Sequence, residues 1–336
     1  MSIVYHGGDV WQGISPSDFI DFSANLNPEG PQRWVMAAMR EGLENAAYYP
    51  DVRGTAAQAG VSAFLDLPGE ALLLTGGGIE AVALAAELPI GGGHVIAQPT
   101  FQEYAHFCPG HRDVERAALA DFNPGPGDCL WLCNPNNPTG EALCREDVLA
   151  LLARMEAVGG RLVVDEAFID YCPEHSVRDM VLTHPALVVL GSLTKVLAIP
   201  GVRLGWLAAH PSVVALARER VLPWRLNCVA AAVAAALPEH REEFDHIRAL
   251  NDARRELFAA ELARIGARVY PSQANFLLCD FGRDMRPVIE RLRDRMILVR
   301  PCGMFPGLTH GHVRLCVRTE GENGILVGAI CQEMEN

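Results

Sequence analysis

The stretch Leu187-Val188-Val189-Leu190-Gly191-Ser192-Leu193-Thr194-Lys195 joins a short apolar run to a polar turn that ends in a lysine. Similar short apolar runs precede it in the chain, at residues 71–75, 94–97, 129–133 and 161–165. Helical periodicity lies between or after these runs, at residues 78–87, 145–158 and 212–222. Strands that alternate with helices indicate a mostly parallel sheet covered on both faces, so the sequence predicts an α/β fold.

The sequence pattern changes beyond Pro238, where a long charged helix is predicted over residues 241–265. After this helix, strands are predicted at residues 268–270, 275–280, 297–299 and 312–317, with a helix at residues 287–296. The mixture predicts a small α+β domain over residues 239–336, next to a large domain over residues 46–238. Residues 1–45 are rich in Gly, Pro and Asn and predict an arm that contributes to the active site, with one helix near residues 33–44.

The composition argues against several classes of function. Lys plus Arg minus Asp plus Glu gives 28 − 41 = −13 for the 336 residues, and the pI is about 5.3. Nucleic acid and anionic membranes are therefore not expected as partners, because both are bound through a basic face. The start of the chain lacks the pattern of a signal peptide, and the longest strongly apolar run, residues 228–237, is about half a membrane span. These features predict a soluble, cytoplasmic protein.

Ten cysteines are scattered between Cys108 and Cys331, several of them within apolar runs. Without a secretion signal, this distribution indicates buried reduced thiols rather than a disulfide framework. The nearest approach to a metal cluster is formed by Cys302, His310, His312 and Cys316. Their spacing matches no familiar zinc signature, so no metal is expected.

Two glycine- or asparagine-rich segments follow predicted strands, at the edge where open α/β sheets bind ligands. Gly76-Gly77-Gly78 leads from the strand that ends at Thr75 into a helix, and the N–H groups of a helix N-terminus form an anion site. Asn134-Pro135-Asn136-Asn137-Pro138-Thr139-Gly140 follows the apolar strand at residues 129–133. Taken singly, each segment also fits an ordinary turn.

Two further segments place ionisable groups after strands. Asp165 ends an apolar strand, and a partly buried carboxylate needs a partner, such as a cationic ring nitrogen. Lys195 lies between an apolar strand and a loop with Pro and Gly, where a desolvated amine suits Schiff-base chemistry. Arg203 follows eight positions later. A lysine taken alone is more often an ordinary surface residue.

The four segments together, in this order and at this spacing, resemble the fold type I pyridoxal 5′-phosphate enzymes over nearly the whole chain. Within them, the pattern is similar to the aminotransferase branch that contains histidinol-phosphate aminotransferase. The resemblance implies that Lys195 binds the cofactor covalently and that Asp165 keeps the ring nitrogen protonated, which makes the ring an electron sink. It also implies that Asn137 hydrogen-bonds the phenolic oxygen of the ring.

The same resemblance implies the remaining contacts of the cofactor. Tyr104 would stack on the cofactor ring, and five residues would hold its phosphate: Gly77, Gly78, Ser192, Thr194 and Arg203. Enzymes of this family are homodimers with active sites at the interface. Tyr49 matches the residue that reaches the cofactor phosphate of the neighbouring subunit.

Two features point away from the aminotransferases of this branch. The arm reads His6-Gly7-Gly8-Asp9 and then Asp21-Phe22-Ser23-Ala24-Asn25, and Phe168 stands where many of these aminotransferases carry a tyrosine at the cofactor. Both features resemble the family of L-threonine O-3-phosphate decarboxylases of cobalamin biosynthesis, which form (R)-1-amino-2-propanol O-2-phosphate. The resemblance implies a phosphorylated amino acid as substrate. The residues implied to bind it are His6, Gly7, Asn25, Asn137, Arg300 and Arg314.

Substrate orientation decides between the two reactions. Decarboxylation requires the substrate carboxylate out of the plane of the cofactor ring, whereas transamination requires the Cα–H bond in that position. The hypothesis is that contacts from the arm to the substrate phosphate, and from arginines to its carboxylate, select decarboxylation. Lys195 or an ordered water then returns a proton to the α-carbon.

Two alternatives stay open at this point. A histidinol-phosphate or aromatic aminotransferase shares the cofactor residues, so only the arm and Phe168 distinguish it from a decarboxylase. A non-catalytic protein of the same fold, acting as a partner of the cobinamide synthase of the pathway, belongs to a different class. The complete set of lysine, aspartate and arginine argues against this second alternative.

Overall fold

The computed structural model describes residues 7–11 and 15–335. The first strand that the structure describes is the short β1 (Ile20–Asp21), and two helices follow it, α1 (Arg33–Glu44) and α2 (Thr55–Leu65). The helix predicted near residues 33–44 is confirmed as α1. Helix α2 was not predicted and covers part of the main sheet: Ala57, Val61 and Phe64 on its inner side are buried.

A seven-stranded sheet forms the centre of the protein. Its strands are β2 (Leu72–Thr75), β3 (His94–Gln98), β4 (Arg112–Glu115), β5 (Cys129–Cys133), β6 (Arg161–Asp165), β7 (Leu187–Ser192) and β8 (Gly205–Ala209). Their order is β2-β8-β7-β6-β5-β3-β4, and only β8 runs antiparallel to its neighbours. The predicted α/β fold with a mostly parallel sheet is confirmed. Strand β4 escaped prediction because Arg-Asp-Val-Glu at a sheet edge has no apolar run.

Helices cover both faces of this sheet. They are α3 (Gly78–Ala86), α4 (Glu103–Phe107), α5 (Arg145–Ala157), α6 (Pro211–Arg218) and α7 (Cys228–Ala236). Alternate residues of a strand point to opposite faces, so Leu130 and Leu132 of β5 enter one apolar core and Trp131 the other. Helix α6 ends at Arg218, before the predicted limit at residue 222.

The C-terminal part contains a four-stranded antiparallel sheet and three helices. Its elements are α8 (Arg241–Arg264), β9 (Arg268–Val269), β10 (Phe276–Asp280), α9 (Arg286–Asp294), β11 (Ile297–Leu298), β12 (Arg300–Pro301), β13 (His312–Cys316) and α10 (Glu320–Glu335). The sheet order is β12-β13-β10-β9. This mixture of helices and an antiparallel sheet agrees with the α+β pattern predicted for the C-terminal part. The exact domain boundaries stay a prediction. In the described ranges, every helix is too short or too polar to span a lipid bilayer.

The N-terminal segment packs on this C-terminal part rather than on the main sheet alone. Strand β1 pairs in parallel with β11, and the Phe22 N–H donates to the Leu298 carbonyl at 2.7 Å. The ring of Phe22 is fully buried in the apolar core between α8 and the small sheet. This anchoring fixes the residues that follow Phe22, including Ser23 and Asn25, beside the carboxyl ends of the large sheet.

Candidate active site

A cavity of about 370 Å³ opens at the carboxyl ends of β5, β6 and β7, where Cys133, Asp165 and Ser192 form part of its wall. Parallel sheets bind ligands at this edge. The N-terminal segment, the helix start at Gly78 and the small sheet complete the wall. The predicted site residues that line the cavity are Gly7, Asn25, Gly78, Asn137, Asp165, Phe168, Ser192, Thr194, Lys195, Arg203, Arg300 and Arg314.

Lys195 follows β7 and is the only lysine among the 28 basic residues of the chain. Burial, with the nearby guanidinium groups of Arg314 and Arg203, lowers the pKa of its amine to about 8, against the opposing effect of Asp165. Its main-chain carbonyl accepts a hydrogen bond from the Asn27 N–H at 3.1 Å, which ties the N-terminal segment to this loop. A partly neutral amine near neutral pH is a competent nucleophile and proton carrier.

Asp165 ends β6 and is only 8% exposed. Its Oδ2 accepts a hydrogen bond from the Tyr104 hydroxyl at 2.6 Å, and its Oδ1 accepts one from the Ala167 N–H at 3.0 Å. Burial raises the pKa of this carboxyl, whereas both hydrogen bonds and the charge of Lys195 act to lower it. The carboxylate therefore lies in the cavity wall as a buried anion that a cationic ligand group would stabilise.

An anion cradle lies at the start of α3. Gly77 has φ of 97°, and a Cβ placed there would come within 2.3 Å of Arg203 Nη2, so only glycine lets the guanidinium approach the helix start. Ser192 Oγ and Thr194 Oγ1, which lie 2.8 Å apart, face the same space beside Gly78. Helix N–H groups, hydroxyls and a guanidinium are the donors that suit a phosphate dianion.

Two buried arginines form a second cationic region across the cavity. Arg300 of β12 and Arg314 of β13 are register partners and are 4% and 6% exposed. Arg314 donates from Nη1 to Asn137 Oδ1 and from Nη2 to the Ser23 carbonyl at 2.6 Å. Burial lowers the pKa of Arg314 to about 10, with a contribution from Arg300. Two guanidinium groups held together in this way favour an anionic ligand between them.

Asn25 extends the polar wall from the N-terminal segment. It is buried in the cavity wall, and its Oδ1 accepts no hydrogen bond from the described part of the chain. Ser23 is held by Asp21, whose Oδ1 accepts from the Ser23 hydroxyl at 2.6 Å, and the Gly8 N–H donates to Ser23 Oγ at 2.8 Å. The segment therefore presents a preorganised polar surface to a ligand.

The structure corrects the prediction for Tyr104. Its ring is fully buried behind the cavity, 5.3 Å from the Trp131 ring, and it is not part of the cavity wall. Phe101, three residues earlier, lines the cavity instead. The turn before α4 directs Tyr104 into the protein interior and Phe101 toward the cavity. The spacing of the two aromatic residues in the sequence does not show which of them faces the cavity.

Two other predicted residues that the structure describes, Gly77 and Tyr49, lie outside the cavity wall. Gly77 contributes indirectly, because the absence of a side chain there allows the Arg203 guanidinium to approach the start of α3. Tyr49 is 84% exposed on the surface, with its ring 5.0 Å from that of Trp224, so its contact with a neighbouring subunit stays a prediction. His6 lies outside the described residues.

Sequence reasoning missed several residues of the wall, among them Ser23, Phe101, Gln102, Cys133 and Phe305. Ser23 lies within the motif already singled out, and Phe101 lies beside the predicted Tyr104. Phe305 carried no sequence signal, because only the folded loop places its ring 5.7 Å from the Arg300 guanidinium. The single lysine of the chain was a signal that could have strengthened the assignment of Lys195.

The histidine-cysteine group near the C-terminus is a packing feature. Tyr270 Oη lies 3.2 Å from His312 Nε2, and Thr309 Oγ1 lies 2.9 Å from His312 Nδ1. Within residues 7–11 and 15–335, no group of three or more His, Cys, Asp or Glu side chains is arranged to hold a metal ion.

The arrangement fits pyridoxal 5′-phosphate, the cofactor predicted from the sequence. The cradle of Gly77, Gly78 and Arg203 suits its phosphate, and the amine of Lys195 lies in the same wall to receive its aldehyde. Asp165 offers a buried carboxylate for the ring nitrogen. Asn137, whose Oδ1 is occupied by Arg314, keeps its amide N–H₂ for the ring oxygen.

Comparison with known proteins agrees with this reading. The family model described as aminotransferase class I and II matches residues 17–330. Threonine-phosphate decarboxylase of Salmonella typhimurium is 31% identical over 347 residues, which cover 97% of this chain and 95% of the relative. Histidinol-phosphate aminotransferase of Symbiobacterium thermophilum is 30% identical over 337 residues, with coverage of 96% and 92%.

Among solved structures, L-threonine-O-3-phosphate decarboxylase of Porphyromonas gingivalis has a similar fold. Its TM-score is 0.85 at 22% identity, covering 94% of this chain and 99% of that one. The sequence resemblance stated above is therefore confirmed, as is the fold. The decarboxylase and the aminotransferase relatives have nearly equal sequence identity to this chain, 31% and 30%.

Proposed function

The chain belongs to the aminotransferase class I and II family, and within it we propose that this protein decarboxylates L-threonine O-3-phosphate to (R)-1-amino-2-propanol O-2-phosphate in cobalamin biosynthesis. The cofactor is pyridoxal 5′-phosphate. When bound, this cofactor supplies an electron sink for the bond at the substrate α-carbon that stands perpendicular to its ring. The protein decides which bond that is by the way in which it holds the substrate.

The observation that carries the proposal is the pair of buried arginines opposite the arm. Arg300 and Arg314 are paired on neighbouring strands, and Asn25 and Gly7 line the same cavity. A phosphorylated amino acid has two anionic groups, and bidentate arginine contacts recognise such groups well. In this proposal the arginines would bind the substrate carboxylate and the arm would bind the phosphate, and these contacts would orient the carboxylate for release as carbon dioxide.

Lys195 and Asp165 carry the chemistry. Asp165 holds a proton at the ring nitrogen by charge, since its carboxylate is buried in the wall. Lys195 binds the cofactor and afterwards returns a proton from Nζ to the substrate α-carbon. Its pKa of about 8 suits this step, because the amine exists in both protonation states near neutral pH.

Phe168 supports the same choice. Its ring lines the cavity and packs at 5.0 Å against Phe276. A phenylalanine offers no hydroxyl to the ring oxygen of the cofactor, so Asn137 alone supplies a side-chain donor there in this proposal. Phe168 would therefore offer the cofactor an apolar contact at a position where many aminotransferases offer a polar one.

Histidinol-phosphate aminotransferase is the second candidate, favoured by the relative that is 30% identical over 96% of the chain. Incubation of the purified holoenzyme with L-threonine O-3-phosphate distinguishes the two. The proposal expects stoichiometric release of carbon dioxide without a keto acid. Steady formation of glutamate from histidinol phosphate and 2-oxoglutarate, together with a failure to release carbon dioxide from L-threonine O-3-phosphate, contradicts it.

The protein is also proposed to act as a homodimer in the cytoplasm, in which Tyr49 reaches the neighbouring cofactor phosphate. Tyr49 packs on Trp224, and the adjacent Tyr48 and Leu222 are exposed as well. Exposed apolar side chains of this kind mark interaction surfaces. A contact with the cobinamide synthase of the pathway stays a prediction.

A further inference from the structure

The hydroxyl of Tyr104 has a role that differs from ring stacking. It donates a hydrogen bond of 2.6 Å to Asp165 Oδ2 from behind the cavity. Trp131 and Phe101 flank the tyrosine ring with centroids at 5.3 Å and 5.5 Å, so packing restricts where the hydroxyl points. Because the ring is fully buried, solvent does not compete for this contact.

Asp165 is therefore held by two donors from two different elements. Tyr104 of α4 binds Oδ2, and the Ala167 N–H, which follows β6, binds Oδ1 at 3.0 Å. Hydrogen bonds donated to a carboxylate favour its ionised form, which burial alone would disfavour. Charge-assisted bonds of this length are stronger than neutral ones and also fix the plane of the carboxyl group.

We propose that Tyr104 is a positioning residue that keeps Asp165 ionised and oriented toward the ring nitrogen of the cofactor. The inference rests on the cofactor role of Asp165 in the proposed function, and it does not depend on which substrate is used. Tyr104 is fully buried and is not part of the cavity wall. It acts through the carboxylate, in the way that outer hydrogen bonds orient catalytic groups elsewhere.

The charges around Asp165 define the conditions for a test. Lys195 faces it from the loop after β7, and the Cys133 thiol faces it from the end of β5. Burial raises the pKa of Cys133 to about 12 and lowers that of Lys195 to about 8, so neither group changes charge between pH 5 and about 7. Burial also raises the pKa of the Tyr104 hydroxyl well above its usual value, so it remains a donor.

The experiment measures the dissociation constant of pyridoxal 5′-phosphate for the full-length protein by absorbance, without substrate, at several pH values from 5 to about 7. Tyr104→Phe should weaken binding about 10- to 100-fold, the range for a hydrogen bond to a charged group. Without the hydroxyl, the pKa of Asp165 should be higher, so the carboxylate should protonate more easily. When the solution is acidified, the variant should therefore lose cofactor binding at a higher pH than the wild type does.

Tyr171→Phe is the matched control, because Tyr171 is also buried but forms no hydrogen bond with Asp165. In an Asp165→Asn background, Tyr104→Phe should add less than a twofold effect. An equal loss in both backgrounds, or equal binding by Tyr104→Phe and Tyr171→Phe, overturns the inference. Wild-type protein that binds the cofactor but does not decarboxylate L-threonine O-3-phosphate contradicts only the proposed function.

Discussion

Arg314 Nη1 donates a hydrogen bond to Asn137 Oδ1 and thereby joins the small sheet to the loop that follows β5. The same guanidinium binds the Ser23 carbonyl at 2.6 Å, so one side chain connects three segments that are far apart in sequence. Arg314 is expected to bind the substrate, and Asn137 is expected to donate a hydrogen bond to the cofactor ring. The contact between them therefore connects the two expected binding sites. Loss of this side chain should therefore affect both ligands.

Arg314→Gln should raise the KM for the phosphorylated substrate about 10- to 100-fold, because it removes a charge-assisted contact to an anion. Cofactor affinity should fall less, since Asn137 would keep its place but lose its fixed orientation. Steady-state kinetics and absorbance titration measure the two effects. Arg286→Lys, at an exposed position, should change neither. An unchanged KM in Arg314→Gln would remove Arg314 from the substrate site.

The single lysine makes the covalent attachment of the cofactor directly measurable. Borohydride reduction of the cofactor-bound protein should give one side-chain adduct, at Lys195, in peptide mass spectrometry. Lys195→Ala should lose the adduct and the absorption band near the visible edge, and its activity should fall by at least about 10²-fold. An adduct confined to the N-terminal amine would contradict the assignment.

Gly77→Ala should weaken binding of pyridoxal 5′-phosphate, because a Cβ there would lie 2.3 Å from Arg203 Nη2 and the backbone has φ of 97°. Strain of this kind costs on the order of 1–3 kcal/mol, or about 5- to 150-fold in affinity if it is relieved by displacing Arg203. Titration of the cofactor-free protein measures it. Gly201→Ala, in the open loop before Arg203, should bind normally; equal affinities of the two variants would argue against the cradle.

Glu166, next to Asp165, should make stability depend on pH. Burial raises its pKa to about 7, from an ordinary value of 4.5, although Ser176 and the Val177 N–H donate to it at 2.7 Å and 2.8 Å. A folded-state pKa above the unfolded value stabilises the fold at low pH, and this stabilisation is lost as the pH rises toward 7.

In Glu166→Gln this dependence should disappear. Between pH 5 and 8 its free energy of unfolding should decline about 1–3 kcal/mol less than that of the wild type. Urea denaturation at both pH values measures the difference. Glu174→Gln, at an exposed position in the same region, should follow the wild type. Parallel pH curves for wild type and Glu166→Gln would show that Glu166 does not titrate in this range.

Tyr49→Asp should shift the protein toward monomers and increase the dissociation constant of the cofactor, because a buried charge at an interface is costly. Analytical ultracentrifugation and cofactor titration measure the two effects. Leu257→Asp provides a control, since Leu257 is an exposed apolar residue on α8, away from the Tyr49–Trp224 pair. A dimer that persists unchanged in Tyr49→Asp would move the interface elsewhere.

Patterns along the chain were sufficient to predict the α/β class and the strand ends on which the site is built. Apolar runs such as Cys129–Cys133 can be recognised as strands in the sequence, because both faces of a central strand are buried. The polar residue after each run then lies at the carboxyl edge of the sheet. This local logic was sufficient to select Asn137, Asp165 and Lys195. It did not detect β4, because an edge strand needs no apolar pattern to pair.

The direction in which side chains near these strands point, and the contacts between separate segments, follow from packing in the folded protein. The proline-containing turn before α4 is compatible with either Phe101 or Tyr104 facing the ligand, and packing against Trp131 turns Tyr104 inward to Asp165. The register of β12 and β13 places Arg300 beside Arg314, and the pairing of β1 with β11 brings Asn25 to the same cavity. Such contacts depend on packing and pairing between different elements, whereas sequence patterns report burial only along a single element.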